Sequence, residues 1–392
     1  MARPGGSFVG RRVQWYQRLA VVAALAAVLG CGPPAPQPPP VAQNPLSLGQ
    51  GGAFGNQSTS AASVSADGRW AAFASAADNL VPGDTNGVTD VFLRDRVTGT
   101  VRRVAESTSS PPRVSANGRY VSFIRQTWTI GVYDRITGTS NEWAATVSNA
   151  VSPVVPGDGS AAIYGAYSSF GIFSPACRIR ALASGAEQDC PHGGSGYGTV
   201  AYETVSSNGR FVLYYWNDQN GGGTSARLLL DRTTGGTQVV TAPVIPFGGG
   251  TSVSDDGRFL AAVLFQPPGP LTAVVHDLAL GTTATLPVTP DGNTLPVDLS
   301  VDGSRVLVLS EATNLVPDDT NAAPDLFVWD VGAGVVSKIS RTVDGADLPM
   351  GAMRCGQGPG QLLASGSSAC ALTYDAIVPL DSNTAQDAYL VP

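Results

Sequence analysis

The chain has 392 residues, of which 43% are apolar and only 14% charged, with 47 Gly and 29 Pro. Such a composition suits many short strands joined by turns and leaves little for long, salt-bridged helices. A net charge of −7 and a pI near 4.8 argue against nucleic acid as a partner, because phosphate binding needs a clustered basic surface.

Residues 1–30 read as an export signal. Arg3, Arg11, Arg12 and Arg18 precede the apolar stretch Leu19 to Leu29. As a helix that stretch would be ~16 Å long, about half of a bilayer core, so it fits a signal h-region rather than a membrane span. Val28-Leu29-Gly30-Cys31 then resembles a bacterial lipobox. The resemblance implies cleavage before Cys31 and a diacylglyceryl group on its thiol. Residues 31–45 are rich in proline, which fixes φ and favours an extended chain, and are expected to act as a semi-rigid tether.

From residue 46 to 392 one pattern recurs. Turn signals of the form Ser-x-Asp-Gly or Ser-x-Asn-Gly begin at Ser65, Ser115, Ser206, Ser254 and Ser300, with a degenerate unit near Val155 and a truncated one after Ala364. The turn glycines are Gly68, Gly118, Gly159, Gly209, Gly257, Gly303 and Gly366. Each unit continues with an apolar strand such as WAAFAS, a variable loop, a third strand such as DVFLRD, and a turn Asp-x-x-Thr-Gly into a more polar fourth strand. Gly99, Gly138 and Gly235 are placed to take the left-handed position of that second turn. Periods of this length indicate a propeller or solenoid, and four antiparallel strands make one blade. The fold class expected is therefore an all-β propeller with seven four-stranded blades. Pro45-Leu46-Ser47-Leu48 is expected to supply the strand missing from the last unit, so that the N-terminal strand closes the ring and removes exposed edges.

The Ser-x-Asp-Gly-Arg and Asn-Leu-Val-Pro-x-Asp-Thr-Asn elements, the latter at Asn79–Asn86 and Asn314–Asn321, resemble the TolB-like, WD-like propeller repeats of bacterial envelope proteins. This resemblance spans nearly everything after Leu46.

The chain contains two histidines. His276 stands at a variable strand position before Asp277, and His192 opens a Gly-rich run without a Gly-x-Ser-x-Gly nucleophile elbow, so neither suggests a catalytic site or a zinc site. No catalytic residue is assigned. With Cys31 set aside, four cysteines remain. Cys177 and Cys190 are equidistant from the turn at Ala183-Ser184, a spacing that suits a disulfide, and Cys355 with Cys370 is the remaining pair.

The loop between second and third strands is acidic in three units. It reads Asp84, Asn86 and Asp90, then Asp319, Asn321 and Asp325, then Asp381, Asn383 and Asp387. In a seven-blade ring these units are neighbours, which predicts a carboxylate patch in one sector of one face. Three roles are open to it: capping of its own turns, a Ca²⁺ site, or a partner-binding patch. Calcium is thus the one cofactor under consideration. The function expected is a binding or scaffolding module, lipid-anchored in the cell envelope and facing the periplasm or the exterior. Its partner would be an envelope protein or a glycan, it would touch the membrane through its anchor only, and it would not bind nucleic acid. The alternative is a hydrolase or lyase acting on envelope polysaccharide or peptide through channel carboxylates.

Overall fold

A computed structural model describes residues 44–144, 153–167, 175–191, 198–218, 225–242, 250–321, 323–341, 369–373 and 387–391. The lipobox with Cys31 therefore lies outside the described residues, as do most of the tether, His192, Asp381, Asn383 and Cys355. No helix among the described residues is long and apolar enough to cross a membrane.

Every described element is a strand, and the strands form antiparallel sheets arranged as the blades of a propeller. The first blade consists of Thr59–Val64, Trp70–Ser75, Asp90–Asp95 and Val101–Ala105, in that order. Its second and third strands are almost wholly buried because both of their faces meet neighbouring blades, which is why they read as continuous apolar runs. The fourth strand is half exposed and correspondingly polar. The same order recurs from Arg113 to Ala144, from Ser252 to Thr285 and from Thr294 to Lys338.

Among the described residues the strands form six blades, not the seven expected from the repeat count. The units that begin near Val155 and at Ser206 share one seven-stranded sheet. The fourth strand of the earlier unit, Glu187–Asp189, has only three residues and covers Pro175–Ala181 only from Arg178 to Arg180. The Ala181 and Cys190 amides extend this cover to Ala186 and Cys177, and beyond it Gly198–Val205 takes the edge through the pair Ala176↔Ala201. An unpaired strand edge recruits the next available strand, and here that strand belongs to the following repeat.

The sixth blade joins the first and the last described strands. Asn44–Pro45 pairs antiparallel with Asp387–Val391, with Pro45 opposite Tyr389, and Asp387–Val391 pairs in turn with Ala369–Thr373. Arg94 of the first blade donates to the carbonyl of Pro45 at 2.8 Å, which ties this strand to its neighbour. Leu46 and Tyr389 are fully buried beside it.

A disulfide joins Cys177 and Cys190, whose Cα atoms are 5.4 Å apart, and the Cys190 amide donates to the Cys177 carbonyl. Both residues are buried among Ile163, Val212 and Tyr214. The bridge closes a short loop, which by loop-closure entropy stabilises the fold by about 3 kcal/mol. Replacing both cysteines by alanine is expected to lower the urea midpoint accordingly, and an unchanged midpoint would show that this sheet unfolds independently of the transition being measured.

Candidate functional site

The two ends of the blades differ in chemistry. At one end are the turns between first and second strands and between third and fourth strands. At the other are the acidic loops and the linkers from blade to blade.

The turn end is built from the repeated Ser-x-Asp/Asn-Gly-Arg signal. In the first blade the Ser65 hydroxyl donates to Asp67 and accepts the Trp70 amide, closing the turn on itself. Ser115, Ser206, Ser254 and Ser300 repeat this arrangement with Asn117, Asn208, Asp256 and Asp302. The next residue, Arg69, reaches across the blade to Asp95 with two hydrogen bonds of 3.1 and 2.8 Å. Arg119 holds Asp134, Arg210 holds Asp231, and Arg258 holds Asp277 in the same manner. The aspartates also accept backbone amides of the second turn, as Asp95 does from Val97. The expected left-handed glycines are found at Gly68, Gly118, Gly159, Gly209, Gly257 and Gly303, and again at Gly99, Gly138 and Gly235.

Neighbouring turns are joined as well. The Ala66 amide donates to the Ala116 carbonyl, the Asn117 side chain to Gly157, the Asn208 side chain to Asp255, and the Asp255 amide to Val301. The face is thus a rigid, interlinked platform.

Bidentate arginine contacts hold the turn carboxylates well below their ordinary range. Asp95 is lowered to about 2 by its hydrogen bonds from Arg69, and Asp277 to about 2 by those from Arg258. Asp134 and Asp231 are lowered for the same reason by Arg119 and Arg210. In the unfolded chain these groups titrate near pH ~3.9. A depressed carboxylate contributes stability above its unfolded pKa and loses it as pH falls through the folded value. The melting temperature is therefore expected to be insensitive to these groups near neutrality and to fall between about pH 4 and pH 2. An Arg69→Gln, Arg258→Gln variant should show a shallower fall in that window, and an identical acid profile would rule the turns out as its source.

The acidic loops at the opposite end are neutralised from within. In the first blade Asp84 and Asp90 are both buried, and one Arg103 nitrogen lies 3.1 Å from each carboxylate. Asn86 donates to both Asp90 oxygens, and the Ser107 amide donates to Asp90 as well. Burial, followed by repulsion from Asp90, pushes the Asp84 carboxyl upward against the pull of Arg103. In the blade from Thr294 to Lys338 the Lys338 ammonium lies 3.1 Å from Asp319 and 2.8 Å from Asp325, and all three side chains are essentially inaccessible. Ser340 donates to Asp325, and Asn321 accepts the Ala323 amide. Arg103 pairs across the sheet with Phe92 and Lys338 with Phe327, so the two cations hold equivalent positions. In the closing blade the equivalent position, opposite Tyr389, is occupied by Pro45. In both described loops a side-chain cation from the fourth strand sits where a divalent metal would otherwise be considered. Among the described residues no group of three or more His, Cys, Asp or Glu could hold a metal ion.

Other ionisable groups are also committed. His276 is buried, with Nδ1 2.8 Å from the Thr283 hydroxyl across the strand pair. Glu203 sits at a bulge in Gly198–Val205, where its carboxyl is pushed up by burial while Arg227, 2.9 Å away, opposes the shift. Asp255 is raised by burial and accepts hydrogen bonds from Ser207 and the Asn208 amide. Asp84, Glu203 and Asp255 thus all hold their protons more tightly than usual, yet each is engaged by different partners.

An oligogalacturonate lyase in complex with manganese superimposes with a TM-score of 0.53 at 13% identity, covering 86% of this chain and 89% of that one. The likeness is one of fold. The propeller domain of Cps50 (Swd1) from Myceliophteria thermophila gives a TM-score of 0.51 at 12% identity, covering 86% of this chain and 97% of that one. TolB from Acinetobacter baumannii gives 0.40 at 16% identity over 58% of this chain, and the match spans about half of that protein, 53%. No protein-family model and no curated protein sequence matches the chain.

Signals for much of this site stand in the sequence. Arg103 and Lys338 were not among the candidate residues, although each follows its acidic loop at the same place in the repeat. Arg102 and Arg135, which line a cleft of 320 Å³ with Trp70, Leu93 and Gln50, were not among them either.

Proposed function

We propose that the chain is a lipid-anchored envelope propeller, carried on Cys31 of the lipobox and related in its repeats to the TolB-like group, that acts as a binding or scaffolding module. The observation that supports this reading is the internal neutralisation of the acidic loops: Asp84 and Asp90 are held by Arg103, and Asp319 and Asp325 by Lys338. Carboxylates fixed in this way hold a loop in one shape, which favours recognition over proton transfer. The partner is an envelope protein or a glycan, and it meets loops that are already held in one shape.

The test is an affinity pull-down of the lipidated protein from solubilised envelope, with crosslinking and mass spectrometry. Reproducible crosslinks from one protein to the loops around Asp84 and Asp319 are expected. Enrichment of glycan fragments that the purified protein then shortens would replace this reading with that of a polysaccharide lyase or hydrolase.

A further inference from the structure

The turn end of the first two blades combines three properties. The first is charge. Residues 59–144 carry nine arginines and eight acidic residues, in a chain whose totals are 23 basic and 30 acidic. These charges are segregated along the blades. Arg69, Arg96, Arg102, Arg119 and Arg135 belong to the turn end, where the carboxylates are Asp67, Asp95 and Asp134. The loop end has the opposite balance, with Asp78, Asp84, Asp90, Glu106 and Glu142 against Arg103 and Arg125. Arg69 and Arg119 are spent on Asp95 and Asp134, whereas Arg96, Arg102 and Arg135 form no ion pair among the described residues.

Two of these free guanidinium groups are held in place. Arg135 stacks 3.9 Å over the Trp70 ring and donates through Nε to the Gly118 carbonyl at 3.0 Å. Arg102 donates through Nη1 to the Tyr133 hydroxyl. Their other nitrogens make no hydrogen bond among the described residues, and both arginines line the 320 Å³ cleft with Trp70, Leu93 and Thr100. Ordered, unneutralised guanidinium forks suit phosphate oxygens.

The second property is apolar exposure. Val97 and Ile136, at corresponding places in the Asp-Arg-x-Thr-Gly turns of the two blades, are 74% and 63% exposed. The third is where the chain enters. Asn44 is opposite Leu390, and Pro45 opposite Tyr389, so the 43 preceding residues join the domain at the turn end of the closing blade. The first blade lies directly beside that blade, its first strand against Ala369–Thr373.

We infer that the turn end of the first two blades docks on the surface of an anionic bilayer, with Arg102 and Arg135 receiving lipid phosphates and Val97 and Ile136 entering the headgroup boundary. Basic residues beside exposed aliphatics are the features that bind a domain to the interface without spanning it. On the lipoprotein reading the anchor precedes Asn44, which lies at this end of the closing blade. The inference rests on the lipoprotein reading for its anchor, and it adds a second membrane contact to the single one expected from sequence. Docking turns the loop end, with its neutralised aspartates, toward the partner.

The full chain is mixed with phosphatidylcholine vesicles made with or without phosphatidylglycerol, and backbone hydrogen exchange is followed. Slower exchange at residues 96–100 and 135–138 is expected on the phosphatidylglycerol vesicles only, with residues 82–88 of the loop end unchanged. Val97→Asp with Ile136→Asp should abolish the protection while Phe265→Asp, a control at the loop end, preserves it. Arg102→Gln should weaken vesicle binding about fivefold, the loss of one basic contact near an anionic surface. Protection equal on both vesicle types, protection at the loop end, or none at either end would overturn the inference. Mass spectrometry of Cys31 tests the anchor separately: an unmodified thiol removes the lipoprotein reading, while exchange still reports whether the face binds lipid.

Discussion

Lys338→Met is expected to destabilise the protein by about 3–5 kcal/mol, the range found when one partner of a buried ion pair is removed. The Lys338 side chain is wholly inaccessible and its ammonium contacts both Asp319 and Asp325. Without it, two buried carboxylates face one another uncompensated, and desolvation acts on both. Methionine keeps the length and most of the volume of the lysine stem, so lost packing contributes little. The check is a urea titration followed by tryptophan fluorescence, in which Trp329, buried on the adjacent strand, reports the same blade. Adding Asp319→Asn and Asp325→Asn to Lys338→Met should recover much of the loss, since the uncompensated charge goes with them. Arg103→Met should cost less, because Arg103 keeps contact with solvent while its two main carboxylates do not. A Lys338→Met midpoint within error of the wild type would show that the loop is not held by this ion pair.

The same pair shows what the sequence does and does not convey. The period, the turn glycines and the alternation of buried and polar strands were legible because each depends on residues within a few positions of one another. Gly68 and Gly99 adopt positive φ where the Asp-Gly and Thr-Gly turns require it, and Cys177 pairs with Cys190 across a short turn. The acidic loops were harder to interpret. Asp84 and its cation Arg103 are 19 residues apart, and Arg103 lies in a strand, VRRVA, that reads as a solvated edge. A comparison of repeats against one another held the missing clue. The residue opposite the third strand at this register is Arg103 or Lys338 in the two described acidic-loop blades, but Glu142 and Thr285 in two blades without that loop. The merging of two repeat units into one blade was not legible at all. It follows from a fourth strand that stops at Asp189, and strand ends are set by competition between edges rather than by local pattern.

Gly118→Ala tests the contact that links one blade to the next. Gly118 has a φ of 72°, a conformation that costs an alanine about 1–2 kcal/mol. Space is the larger obstacle. A Cβ at Gly118 would overlap the indole of Trp70, which projects from the preceding blade onto this turn. Tyr120 occupies the same place over Gly159, Phe211 over Gly257 and Phe259 over Gly303. The aromatic that follows each turn arginine is thus the partner of the next turn glycine, and Arg69 and Arg135 both stack on Trp70 at this junction. Trp70 cannot withdraw without losing those stacks and its packing against the buried cluster that contains Leu93 and Val121. Overpacking of this kind adds about 1–3 kcal/mol, so the expected total is roughly 2–5 kcal/mol, read as a lowered urea midpoint. Gly99→Ala separates the two contributions, because Gly99 has the same φ, 72°, with open space where its Cβ would stand. It should lose only the conformational part. If the two variants lost equal stability, the glycine would be needed for its backbone alone, and the aromatic-on-glycine contact would not be what holds neighbouring blades together. If Gly118→Ala lost more and Trp70→Leu relieved part of the loss, the junction would be a steric latch, repeated at each turn where an aromatic precedes a glycine by one blade.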